Sequence, residues 1–116
     1  MKKAATSEIT CKTSYAIGDI EDFTENLTYE QFIKDRKTLN AVVRSIEVID
    51  EASKQLPDAL KAKYGTLPWR EITDMRDKLI HAYFGMDTET IWQTVQDNIP
   101  PLKQTIQKIL KDQEKP

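Results

Sequence analysis

Among 116 residues the chain has a single histidine and a single cysteine. One of each, far apart, matches no ligand spacing for zinc, so no metal and no other cofactor is expected. Cys11 alone cannot close an intramolecular disulfide and suits a reducing cytoplasm, the expected location. Glycine and proline are scarce, with three and five residues. That scarcity argues against a turn-rich β architecture, and the chain has no glycine-rich phosphate loop. No apolar run approaches the roughly 20 residues that span a bilayer. The basic start Met1-Lys2-Lys3 has no apolar stretch behind it, so neither membrane association nor a secretion signal is expected. Neither sign of charge dominates, since 17 basic and 19 acidic residues leave a net charge of -2. This balance argues against a protein that coats nucleic acid by overall charge, while leaving room for a local basic groove.

What is present is helical. The chain is 31% charged, with long stretches of Leu, Ile, Val, Ala, Lys, Glu and Gln. Residues 1–14 show no sustained periodicity and are expected to be irregular. From Tyr15 the apolar positions Ile17, Ile20, Phe23 and Leu27 predict a first helix, weakened at Gly18 by about 1 kcal/mol relative to alanine. Thr28-Tyr29-Glu30-Gln31 has the form of a capping box and opens a short helix carrying Phe32 and Ile33. The strongest pattern runs from Asp35 to Leu56, where Leu39, Val42, Val43, Ile46, Ile49, Ala52 and Leu56 form one apolar stripe. Pro57 ends it and can begin a short helix to Tyr64. After the Gly65–Pro68 turn, Trp69 reads as a core anchor. A helix is predicted from there to Phe84, with Gly85 as its left-handed cap. Asp87 and Thr88 are N-cap candidates for a helix facing Ile91, Trp92 and Val95 inward. Pro100-Pro101 must break or kink that pattern, and Leu102, Ile106, Ile109 and Leu110 carry the last amphipathic segment. The expected architecture is all-α: an up-and-down bundle of four to five helices over residues 15–111, with a polar tail at 112–116.

The only histidine, His81, lies five residues after Arg76 and two before Tyr83. Histidine can act as acid or base near neutral pH, and arginine grips phosphate through two parallel hydrogen bonds. On one helix Arg76 and His81 stand about 140° apart, whereas Asp77 and His81 share a face. Cleavage of RNA by its own 2'-hydroxyl needs a base, an acid and a cation for the developing phosphorane charge. One chain supplies one histidine; a symmetric pair of chains supplies two histidines and two arginines in one cleft. A plainer alternative stands beside this. A histidine four residues after Asp77 has the spacing of a surface ion pair, and Tyr83 reads as an aromatic at the edge of the core.

The wider segment decides between them by resemblance. Leu67-Pro68-Trp69-Arg70-Glu71-Ile72-Thr73-Asp74-Met75-Arg76-Asp77-Lys78-Leu79-Ile80-His81-Ala82-Tyr83-Phe84 resembles the signature of the HepT-like branch of the HEPN superfamily, toxins encoded beside a minimal nucleotidyltransferase. Asp35–Arg44, Ile49-Asp50-Glu51-Ala52 and Ile91–Leu102 also resemble that branch, over roughly residues 17 to 111 in all. Asp50 and Asp74 stand where the family commonly has glycine, and the start lacks the family's long regular first helix. The resemblance implies a HEPN-like helical homodimer with metal-independent endoribonuclease activity in a cleft between protomers. It implies Arg76 as the phosphate-binding residue, His81 as acid or base and Asp77 in support. Tyr83 falls at the tyrosine to which a cognate nucleotidyltransferase antitoxin transfers AMP, silencing the toxin in a type VII-like pair. The competing expectation is a non-catalytic helical adaptor, or nucleotide-binding partner, of such a nucleotidyltransferase.

Overall fold

The computed structural model describes residues 3–75, 77 and 88–113, with side chains from Thr6 onward. Among these residues the secondary structure is entirely helical, as expected. The helices are α1 (Lys3–Thr24), α2 (Tyr29–Lys34), α3 (Arg36–Lys54), α4 (Asp58–Lys63), α5 (Trp69–Thr73), α6 (Thr88–Asp97) and α7 (Ile99–Gln113). The longer helices α1, α3, α6 and α7 build the bundle, and α2, α4 and α5 are short corner pieces. None of the described helices is long and apolar enough to cross a membrane.

The start of the chain departs from its expected irregular form. Residues 3–14 are the first half of a 22-residue helix. The apolar stripe was masked by threonine, because Thr6, Thr10 and Thr13 are buried beside Ile9, Ala16, Ile17 and Ile20. Their hydroxyls are hidden by bonding back along the helix: Thr10 Oγ1 donates to the Thr6 carbonyl at 3.0 Å and Thr13 Oγ1 to the Ile9 carbonyl at 2.9 Å. A threonine satisfied in this way presents its methyl group to the core at little polar cost. Gly18 lies in mid-helix with open space where a side chain would sit. Helix α1 ends in a turn in which Asn26 takes a left-handed φ of 61°, a conformation that asparagine tolerates better than most residues.

The expected stops and starts of the middle segments follow local chemistry. Thr28 caps α2 through a complete capping box, with Gln31 N–H donating to Thr28 Oγ1 at 3.2 Å and Thr28 N–H to Gln31 Oε1 at 2.9 Å. Asp35 closes α2 and opens α3. Its N–H donates to the Phe32 carbonyl at 3.2 Å, and its carboxylate accepts from Thr38 N–H at 3.0 Å and Thr38 Oγ1 at 2.6 Å. Those bonds from Thr38 hold the Asp35 carboxyl below its ordinary pKa. Pro57 precedes α4 and accepts from Leu60 and Lys61 N–H. Pro100 and Pro101 fall in the first turn of α7, where no N–H is needed, so the break sits at Asn98.

Helices α1 and α7 run antiparallel. Ser7 Oγ donates to Gln113 Oε1 at 3.2 Å near one end, and Lys103 reaches Glu21 at 2.8 Å near the other. Asp112 and Gln113, expected in the polar tail, therefore close the helix and are tied to the body. The core between the helices centres on fully buried Ile20, Phe32, Val42, Ile46, Ile49, Ile91, Leu102 and Ile109, each contributing about 1.5–3 kcal/mol by leaving water.

Tyr64 fastens the chain between α4 and α5 to the C-terminal end. Its hydroxyl donates to Asp112 Oδ2 at 2.6 Å. Burial, and then the bond and charge of Asp112, push its pKa up from 10.0 to about 12. A pKa raised on folding contributes stability that is complete below pH 10 and is lost between pH 10 and about 12. Tyr64→Phe is expected to lower stability at neutral pH by about 1–2 kcal/mol. The gap to wild type should narrow above pH 10, as read from urea midpoints. A gap that stays constant across that range would separate the bond from the titration.

Candidate functional site

The segment singled out by sequence is entered through α5. Pro68 precedes this helix, and the Trp69 indole N–H donates to the Tyr64 carbonyl at 3.1 Å. Trp69 is half-buried and packs against both apolar clusters of the protein, which makes it the expected anchor. Ile72 and Met75 are both 1% exposed and join the main core. The way into Arg76 is thus pinned by three apolar side chains within seven residues.

The helix predicted as continuous from Trp69 has its first stretch end at Thr73. Asp74 forms a turn, its N–H reaching the Arg70 carbonyl at 3.0 Å, and helical backbone returns at Met75 and Asp77. Asp77 is exposed. Arg76, His81 and Tyr83 lie outside the described residues, as do Phe84, Gly85 and Asp87. On the far side the chain re-enters at α6. There Ile91 and Val95 are buried, and Trp92 stacks obliquely on Phe32 with ring centroids 5.1 Å apart. Both flanks of the motif are therefore anchored in one core.

Sequence reasoning missed a feature of α3. Asp50 and Ser53 on α3 are both fully buried. Asp50 had been noted only as standing where glycine is common. The available signal was its position four residues after Ile46, which places a carboxylate on the flank of the apolar stripe. In the structure Asp50 Oδ2 lies 3.0 Å from Lys54 Nζ.

The family profile described as "Ribonuclease HepT-like" matches residues 14–109. A protein of Thermococcus cleftensis named a probable ribonuclease HepT is 49% identical over 96 residues, covering 83% of this chain and 87% of its own length. A protein of Methanocaldococcus jannaschii with a candidate-RNase name is 48% identical over 94 residues, covering 81% of this chain and 78% of its own length. Another candidate RNase by name, from Caldanaerobacter subterraneus, is 44% identical over 86 residues, covering 74% of this chain and 77% of its own length. No solved structure matches the chain significantly. The N-terminal half of α1 precedes the matched residues. From residue 14 to residue 109, the chain belongs to the ribonuclease HepT-like family.

Proposed function

We propose that this protein is an endoribonuclease that cleaves RNA through Arg76 and His81 in a cleft shared by two copies of the chain. The observation that carries the reading is the family match over residues 14–109 in a chain that retains Arg76, Asp77, His81 and Tyr83 at the signature spacing. Arg76 binds the scissile phosphate and stabilises the charge that develops on it, and His81 moves the proton. Because Arg76 and His81 diverge by about 140° on an ideal helix, a two-fold partner completes the set. Asp77 supports the cleft from its exposed position. No metal enters the reaction: the 2'-hydroxyl attacks phosphorus, the P–O5' bond breaks, and a 2',3'-cyclic phosphate and a free 5'-hydroxyl result.

The same reading gives Tyr83 a regulatory role. In a toxin–antitoxin pair, a minimal nucleotidyltransferase transfers AMP from ATP to the Tyr83 hydroxyl and releases pyrophosphate. The adduct adds a phosphate charge and a nucleoside two residues from His81, which repels RNA and fills the groove.

The test uses purified full-length chain and single-stranded RNA in the presence of a metal chelator. Cleavage with cyclic-phosphate ends, from a chain that sediments as a dimer, is the expected result. Intact RNA, or cleavage that stops with the chelator, counts against the reading. Incubation with the nucleotidyltransferase and ATP should add the mass of AMP to wild type and leave Tyr83→Phe unmodified. An adduct on Tyr83→Phe would remove that residue from the regulatory role.

A further inference from the structure

Helix α1 carries the most exposed large apolar side chain among the described residues, Tyr15, which is 79% exposed. Three residues on, Gly18 stands in mid-helix, where glycine weakens a helix relative to alanine. No described atom lies within 4 Å of the place a Cβ would take at Gly18, so the packing of the chain on itself does not call for glycine there. Both residues line an open groove of about 380 Å³ that α1 forms beside Leu110 of α7. A protruding ring and a bare stretch of backbone, one turn apart, are two halves of a fit that one chain cannot make with itself.

Cys11, Tyr15, Gly18 and Asp22 follow one another at steps of four, three and four, so they form one line along the helix. That line is the outermost, because Ile9, Ala16, Ile17 and Ile20 turn the opposite side of α1 into the core. A second α1 laid antiparallel across a two-fold axis midway between Tyr15 and Gly18 brings each Tyr15 to the height of Gly18 on the other copy. Cys11 then stands at the height of Asp22 of the other copy. Lys12 and Asp19 lie about 20° apart on one flank of the line. The same symmetry sets Lys12 of each copy between Asp19 and Asp22 of the other. Lys12, Asp19 and Asp22 enter none of the ion pairs among the described residues, so these charges are free to pair across copies. A parallel arrangement would instead set Tyr15 against Tyr15 and Gly18 against Gly18.

We propose that the outer face of α1 is a docking surface for a second copy of this chain, joined antiparallel with each Tyr15 ring seated over Gly18 of the other. The missing side chain at Gly18 lets the ring lie on the backbone. The cross-helix attraction of Lys12 for Asp19 and Asp22 sets direction and register. The face includes none of Arg76, Asp77, His81 and Tyr83, so it is separate from the ribonuclease reading. An interface made mainly by one pair of helices falls below the roughly 1,200–2,000 Å² of standard interfaces, and the pairing is expected to be micromolar.

The first test is disulfide trapping of the full chain, which has one cysteine. Positions 11 and 22 are about 16 Å apart along α1, too far to join within one chain. In the antiparallel pair they face each other across the interface. Asp22→Cys should therefore give a covalent dimer with oxidised glutathione on a non-reducing gel. Wild type, and Glu30→Cys on the exposed side of α2, should stay uncross-linked. No covalent dimer from Asp22→Cys, or an equal yield from wild type or Glu30→Cys, would overturn the proposal. The second test is sedimentation across the micromolar range. Wild type should at least double in mass relative to the species present at high dilution. Gly18→Leu and Tyr15→Ala should each move the midpoint at least about tenfold higher in concentration. Gly18→Leu should keep Tm at or above that of wild type, because leucine favours helix over glycine, so its loss of pairing is not misfolding. An unchanged midpoint in Gly18→Leu would overturn the proposal. Neither test uses RNA, so a chain that does not cleave RNA would defeat the ribonuclease reading while both still decided the docking surface.

Discussion

His81→Ala is expected to lower the rate of RNA cleavage about 10²–10⁴-fold, the range by which a positioned acid or base accelerates proton transfer. With one histidine per chain, no other imidazole can substitute. The loss should fall on the chemical step, leaving RNA affinity near that of wild type, because phosphate binding rests with Arg76. Arg76→Lys keeps the charge but loses the bidentate fork, and should be impaired by on the order of tenfold or more. Single-turnover cleavage of a labelled RNA, with binding measured separately by anisotropy, distinguishes the two effects. Cleavage by His81→Ala at the wild-type rate would remove His81 from the mechanism and with it the main reason for a shared cleft.

The second large effect concerns the frame that holds the motif. Phe32 is fully buried and packs on Trp92 of α6 with ring centroids 5.1 Å apart. Tyr29 approaches the same indole at 6.0 Å. Helix α6 receives the chain after the motif, so this aromatic contact anchors one flank of the site. Phe32→Ala is expected to cost about 3–5 kcal/mol, combining lost transfer energy with an unfilled cavity. For a domain of this size that corresponds to a fall in Tm on the order of 10–20 °C, a large part of the stability of a typical domain. Calorimetry or denaturant unfolding reads it directly, and Phe32→Leu should recover most of the loss. A Tm for Phe32→Ala within a degree or two of wild type would show that α2 and α6 are held by other contacts.

Much of the local punctuation was legible in the residues because it acts over three or four positions. The Thr28–Gln31 capping box, the stop at Pro57 and the placement of the two prolines at the start of α7 each follow from one or two hydrogen bonds. The α3 stripe was equally plain, since Leu39, Val42, Ile46 and Ile49 leave little choice of buried face. The first half of α1 was hidden for a definite reason. Threonine counts as polar in any periodicity, yet Thr10 and Thr13 spend their hydroxyls on their own helix and pack as apolar groups. The turn at Asp74 was likewise invisible to a pattern that continued smoothly from Trp69 through Ile72 to Met75.

The candidate site divides along the same line. Its chemical parts could be named from sequence alone, because Arg76, Asp77, His81 and Tyr83 are close together and their types restrict the chemistry. The sequence by itself determined an all-helical chain, its principal caps and breaks, and a phosphate-directed motif within a recognisable family signature. Tertiary structure alone decided that residues 3–14 are helical, that Tyr64 and Asp112 meet across 48 positions of chain, and that Asp50 is buried. The physical reason is that hydrogen-bonding caps and helical periodicity are local, whereas burial depends on what another segment brings to the same place.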